Sequence, residues 1–268
     1  MLIVLGIILL VLMGCVGGDR GLMSFVSLVG NIIVIMICVY GIMCGANIIV
    51  MTFICSILFI VITLFYQNGK NIKTVAAFFS VISVEILLSV VIGIIVYCSK
   101  LAGYNEIYIY EESNMSLSVD LNINMEMLMV AVVLIAVLGA IMDTSIAIST
   151  SVFEIRQNNT KLTRSELRNS GKNVGKDILG TTANTLFLAG IGETTMLSML
   201  MVKNGYTFER LINSKALFQE IIVILFANIG CLLIIPITVW VISFIIKSDR
   251  KEASSIREYC LKVEKEIQ

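Results

Sequence analysis

Two apolar segments of this sequence carry polar side chains at spacings that place them on helix faces. Asp143 lies within one segment, and Asp177, Thr181 and Asn184 recur at intervals of four and three residues in the next, followed by Glu193. Charge in hydrocarbon costs at least about 2.5 to 3.5 kcal/mol, so such groups survive mainly inside a bundle or beside a wet cavity. We therefore expect these five residues to line a path for a small polar solute or ion.

Each of these side chains also has a structural interpretation. Asp143 is either a carboxylate that binds a proton or cation, or a polar contact between helices. Asp177 falls in the first turn of the predicted helix, where the dipole favours an anion, so we prefer an N-terminal cap. Glu193 is either a second buried acid or the edge of an outward cavity.

The helices that carry these residues are expected to pack closely and to break locally. Small residues at helical spacing around Asp143 let another helix approach closely, and the next span is the natural partner. Two glycines and a proline predict a helix break and a kink, which expose backbone groups in many carriers. The packing residues are Ala136, Ala140 and Ala147, and the break residues are Gly190, Gly192 and Pro236.

Composition places the whole chain in a membrane. Apolar residues make up 58% of the 268 residues and charged residues 14%, against about 45–50% and about 25% in soluble domains. A bilayer crossing needs about 20 apolar residues. We predict an all-α, polytopic transmembrane bundle of about seven spans in one domain, 1–247, with spans near 1–17, 22–44, 47–66, 74–98, 127–153, 178–202 and 221–246.

The basic residues predict the orientation of the spans. With the N-terminus outside, 15 Lys and Arg residues lie inside and 4 outside, as the positive-inside rule requires. N-out/C-in is therefore the prediction, and it permits a 3+3 inverted repeat after the first span. The first span ends near a lipobox-like Leu12–Cys15. Without a basic residue ahead of it, we expect the span to be retained.

Three polar segments connect or follow these spans. Segment 99–126 is acidic and alternates in a way that predicts a small outer hairpin. The basic loop 154–176 contains the capping-box pattern Thr163-Arg164-Ser165-Glu166, with Gly171 as the expected end of a short helix. The remaining 248–268 is predicted to be a cytoplasmic tail.

Enzyme, metal and cofactor chemistry find little support in the sequence. The chain has no histidine, and its seven cysteines form no CxxC pair. Asp143 and Asp177 lie at different predicted depths, which argues against an aspartyl pair. We predict neither an enzyme nor a metal or cofactor site, and no nucleic-acid partner.

The same polar segments resemble the YibE/F-like family of bacterial integral membrane proteins. The chain looks like the smaller, YibF-type member, without a large extracytoplasmic region. This implies a multi-pass protein of the bacterial cytoplasmic membrane and a larger YibE-like companion subunit. Glu193 departs from the small or hydroxyl residue expected there. The matching portions are GAIMDTSIAISTSVFEI (139–155), SGKNVGKDILGTTANTLFLAGIG (170–192), Asn213, Glu220-Ile221, IPIT (235–238), GDRG (18–21) and GAN (45–47).

Two functions remain open from the sequence. One is a permease subunit that moves a small polar solute or ion along Asp143, Thr181 and Asn184. The other is a non-transporting scaffold or receptor subunit, in a homo-oligomer or with the larger family member, whose polar groups only join helices.

Overall fold

Long apolar stretches of the chain form long helices. A computed structural model describes residues 1–101, 123–159 and 162–247. Within those residues the secondary structure is helical throughout, with no strand. The elements are α1 (Leu2–Met43), α2 (Ile48–Ile60), a π-helical segment (Val61–Tyr66), α3 (Ile72–Ser99), α4 (Met125–Asn158), α5 (Arg164–Lys203), α6 (Phe208–Ile212) and α7 (Lys215–Lys247).

Six helical stretches in the described residues are long and apolar enough to cross a membrane. The predicted all-α polytopic bundle is thereby confirmed. The six are Ile3–Met43, Ile48–Tyr66, Ile72–Ser99, Met125–Asn158, Arg164–Lys203 and Lys215–Ile246.

The predicted first and second spans are joined within α1 instead of being separated by a loop. Gly18 interrupts the helix with a φ of 55° and a ψ of −138°, a backbone conformation that glycine adopts without a Cβ penalty. A Cβ on Gly21 would collide with the carbonyl oxygen of Met13. The two parts of α1 therefore meet at a sharp bend.

Polar caps fix where three of the helices begin. The Asn47 side chain accepts hydrogen bonds from the backbone of α2, and the Asn124 side chain does so for α4. Thr163 and Glu166 form the predicted capping box, in which the Glu166 carboxylate accepts a 2.8 Å hydrogen bond from the Thr163 amide. These bonds satisfy amide groups that have no partner inside the helix.

The core lies where α3, α4 and α7 pack against one another. α4 contacts α2, α3, α5 and α7, whereas α1 packs mainly against α2 and the π-helical segment. Fully buried aliphatic side chains such as Leu88, Leu138 and Ile234 fill the centre. α4 and α7 are thus the inner helices of the bundle, and α5 and α1 are peripheral.

One end of the bundle collects basic side chains over aromatic rings. Lys73 lies 5.3 Å from the Phe153 ring centroid, Arg164 lies 5.5 Å from that of Phe244, and Arg168 lies 5.8 Å from that of Trp240. We call this the basic end. Its cation–π contacts join the starts of α3 and α5 to the ends of α4 and α7.

Two predicted segments fall outside the described residues. The outer hairpin expected within 99–126 lies mostly in 102–122, and the cytoplasmic tail comprises 248–268. Both remain predictions.

Candidate functional site

Asp143 lies on the outer side of α4. Its side chain is exposed in the single chain, and no hydrogen bond joins it to another helix among the described residues. Ala136 is also exposed on this side, and Ala140 and Ala147 are half-buried. A Cβ added at Gly139 would meet nothing within 4 Å. The predicted small-residue stripe is therefore largely open, because α4 packs through its other side.

The polar contacts between helices come from the residues that follow Asp143. Ser145 and Thr238 are fully buried, and their hydroxyl oxygens lie 3.0 Å apart between α4 and α7. Thr144 donates a 2.8 Å hydrogen bond to the Ala140 carbonyl, and its oxygen lies 3.5 Å from the Cys231 sulfur. These hydroxyl contacts, not the Asp143 carboxyl, join the inner helices.

α5 packs through glycines. A Cβ on Gly171 would lie 2.7 Å from Val152 of α4, and one on Gly175 would lie 2.5 Å from Ile235 of α7. At Gly190 the added atom would collide with Ile224. The backbone of α5 therefore lies close against side chains of α4 and α7, and the four-residue spacing of the first two glycines is typical of helix pairs in membranes.

The opposite side of α5 is polar and open. Asp177, Thr181 and Asn184 are all exposed, as is Glu193. Thr181 donates its hydroxyl hydrogen to the Ile178 carbonyl of the same helix, at 2.9 Å. The expected spacing on one face is present, but that face points away from α7 and the core.

Several predicted helix boundaries around these residues are wrong. α5 begins at Arg164 and continues through Gly171, so Asp177 lies well inside the helix and does not cap its first turn. The helix also passes through Gly190 and Gly192 without a break. The packing of Gly190 against Ile224 of α7 compensates for its low helix propensity, whereas a Cβ on Gly192 would meet nothing within 4 Å. Pro236 lies inside α7, and the kink expected there remains a prediction.

Asp143 and Thr181 share a depth in the bundle. Val152 and Gly171 are in contact where the antiparallel helices α4 and α5 meet. Asp143 lies nine residues from that contact along α4, and Gly180 lies nine residues from it along α5. At 1.5 Å per residue, both are about 14 Å from the contact. We call the exposed set the open side; it comprises Ala136, Gly139 and Asp143 on α4 and Thr181 and Asn184 on α5.

A second carboxylate, which the sequence analysis missed, is buried in α3. Glu85 is only 3% exposed, and its Oε1 has no hydrogen-bond partner. The fully buried Ser56 hydroxyl of α2 lies beside this carboxyl group. The signal was an ionisable residue near the middle of an otherwise apolar span, which by default indicates a functional site.

A cleft of about 290 Å³ opens between α2, α3 and α4 near this carboxylate. Thr52 and Ser89 in its wall each lie four residues from Ser56 and Glu85, respectively, on the same helices. One helical turn of this kind spans about 6 Å. Other lining residues include Gly93, Tyr97, Glu126 and Ala131.

The described residues contain no group of three or more His, Cys, Asp or Glu side chains that could hold a metal ion. The two midspan carboxylates therefore stand apart, one on the open side and one in the interior. What they can do is bind a proton, a small cation or a polar solute, each in different surroundings.

Comparison with known proteins adds the family. No curated protein and no solved structure matches the chain. The family model described as YibE/F-like protein matches residues 5–248, most of the chain and all of the polar positions described above. The chain is an integral membrane protein that belongs to the YibE/F-like family.

Proposed function

We propose that this chain is a permease subunit whose polar path runs along the open side and is completed by another subunit. The observation that carries the proposal is the exposure of Asp143, Thr181 and Asn184 at similar depth within the span. A carboxylate and an amide facing lipid would be costly. Contact with water or with another protein removes that cost.

The second subunit is the larger YibE-like family member or a further copy of this chain. We place the assembly in the bacterial cytoplasmic membrane, with the basic end inside. The basic residues Lys73, Arg164 and Arg168 support this orientation, because Lys and Arg concentrate on the cytoplasmic side of membrane proteins.

A scaffold or receptor subunit is the second candidate. The bare surface at Ala136 and Gly139 favours it, because small residues let a partner helix approach closely. In that case the open side is dry and filled by protein. The two candidates differ in whether water reaches Thr181 and Asn184.

Cysteine accessibility distinguishes the two candidates without knowledge of the solute. Thr181→Cys and Asn184→Cys are placed singly in a cysteine-free background of the full chain, in native membranes. A membrane-impermeant maleimide is then applied from each side in turn. Leu225→Cys on α7, an exposed apolar position, is the control for a lipid-facing surface, and the fully buried Ser149 supplies the control for the core.

Labelling of Thr181→Cys and Asn184→Cys, with both controls unlabelled, is the expected result for a water-filled path. Asp143→Asn in the same background should then change the labelling rate, since the carboxylate shares the depth of Thr181. The matched control is Glu154→Gln, which removes an exposed acid near the basic end. No labelling at either position, together with disulfide-linked dimers through Asn184→Cys, would overturn the permease and support a protein contact.

A further inference from the structure

Among the residues that the structure describes, Glu85 has no charged partner inside the bundle. It lies near the middle of α3, about 20 Å from either end of that helix. Burying an isolated carboxylate is far more costly than burying the neutral acid. With Oε1 lacking a hydrogen-bond partner, the surroundings fit a carboxyl group that carries a proton.

The helices around α3 supply no cation at this site. Two long helices pack against α3, and their titratable side chains are Glu126, Asp143, Glu154 and Arg156 on α4 and Lys215, Glu220, Cys231 and Lys247 on α7. The three basic residues lie at or near the ends of these helices, whereas Glu85 lies at the middle of α3, where the neighbouring polar group is the Ser56 hydroxyl. One carboxylate and one hydroxyl are too few oxygen ligands for a divalent ion such as Ca²⁺ or Mg²⁺.

The cleft comes within one helical turn of this carboxyl group. Its wall reaches Ser89, one turn from Glu85, and Thr52, one turn from Ser56. Both hydroxyls donate to carbonyls of their own helices, Thr52 to Ile48 at 2.8 Å and Ser89 to Ile86 at 2.8 Å. Their oxygen lone pairs therefore remain available as hydrogen-bond acceptors.

We propose that Glu85 is a proton-binding site whose proton exchanges with water through the cleft between α2, α3 and α4. The neutral acid releases H⁺ to water in the cleft and becomes a carboxylate that accepts a hydrogen bond from Ser56. The reverse step restores the acid. The site lies apart from the open side, so it goes beyond the permease proposal and stands or falls separately.

Infrared difference spectroscopy of the purified full chain in lipid nanodiscs tests the site directly. A jump to alkaline pH is followed in the carbonyl-stretch region of protonated carboxylic acids. We expect the wild type to lose a signal that is missing in Glu85→Gln, an isosteric neutral variant, and present in the matched control Asp143→Asn. A spectrum unchanged by Glu85→Gln, or a signal that persists at alkaline pH, would overturn the proposal.

Gly93→Leu tests the route. Gly93 lines the cleft, and a Cβ there would meet nothing within 4 Å, so a leucine fills the cleft without touching Glu85. The carboxyl signal should keep its amplitude and decay about tenfold more slowly, equivalent to about 1.4 kcal/mol on the barrier. An unchanged rate would show that the proton does not leave through this cleft.

A second measurement needs no folded variant. A hydrophobic carbodiimide reacts with a protonated carboxyl group in an apolar site: the acid proton moves to nitrogen and the carboxyl oxygen bonds to the central carbon. Peptide mass spectrometry of the wild type should find the rearranged N-acylurea on Glu85, with less adduct at alkaline pH. The thiol labelling of Asn184→Cys reports on the permease path, so failure of either proposal is recognised separately.

Discussion

Glu85 and Asp143 are acids of similar chemistry, yet one lies inside the bundle and the other on its open side. Glu85 lies beside Ser56 of α2 and is almost completely buried, whereas the Asp143 side chain is exposed in the single chain. The interior acid has a nearby hydroxyl and a cleft, and the outer acid lies on a bare helix surface. The two therefore suit different tasks: proton binding within the chain, and contact with water or another subunit.

The contrast teaches that depth and orientation are separate questions in a membrane helix. Lipid and the protein interior both favour apolar residues, so a membrane helix can be apolar on every side. Its pattern of apolar residues then does not show which side faces the core. Asp143 lies within a stripe of small residues that predicted a contact between helices. Glu85 stands alone among aliphatic residues. The packing of α4 through Thr144 and Ser145 decides which side faces inwards.

The strongest test of inner and open sides compares two glycines of α5. Gly175→Leu would drive a large side chain into Ile235, where a Cβ alone would already come to 2.5 Å. We expect the free energy of unfolding to fall by about 3 kcal/mol, the upper part of the usual range for overpacking. Denaturation of the purified protein in mixed detergent micelles measures the change.

Gly180→Leu is the matched control, because a Cβ there would meet nothing within 4 Å. It should leave the unfolding free energy unchanged or slightly higher, since leucine has the better helix propensity. Equal destabilisation by both variants would show that Gly180 also packs against a helix, and the open side would be wrongly assigned.

A second comparison replaces each acid by an apolar residue. Glu85→Met removes a buried oxygen without a partner while nearly keeping the side-chain length. We expect the unfolding free energy to rise by about 1 to 3 kcal/mol, the usual cost of an unsatisfied buried group. Asp143→Leu, on the open side, should change it by less than about 0.5 kcal/mol. Destabilisation by Glu85→Met, measured by the same denaturation, would reveal a stabilising partner of Glu85.

The smallest expected effect concerns the hydroxyl contact between α4 and α7. Ser145→Ala removes the 3.0 Å contact with Thr238 and should cost about 0.6 kcal/mol, the average for hydrogen bonds between membrane helices. Ser151→Ala is the control, since the Ser151 hydroxyl bonds to Ala147 of its own helix. Thermal unfolding of both variants measures the difference. A larger loss of stability in Ser151→Ala than in Ser145→Ala would contradict the stabilising role of the Ser145–Thr238 contact.

Local chemistry made part of this fold predictable. The capping box at Thr163 and Glu166 was correct, because it depends on residues close in sequence. The apolar stretches predicted a membrane bundle because length and composition determine spanning. The continuity of α5 through Gly171 and Gly190 was missed, because it depends on contacts with Val152 and Ile224 elsewhere in the chain. Glu85 was missed although its signal is local, an ionisable residue near the middle of an apolar span; only its burial depends on the packing of other helices.

The length of α5 has a mechanical consequence. Its 40 residues extend about 60 Å, twice the roughly 30 Å of the hydrocarbon layer. With no break at Gly190 or Gly192, the helix transmits torque and tilt along its length. A 10° tilt about its midpoint displaces each end by about 5 Å for a rod of this length. That midpoint lies between Thr181 and Asn184, so a force applied to the capped start at Thr163 displaces the far end near Lys203 while the two polar residues stay almost in place.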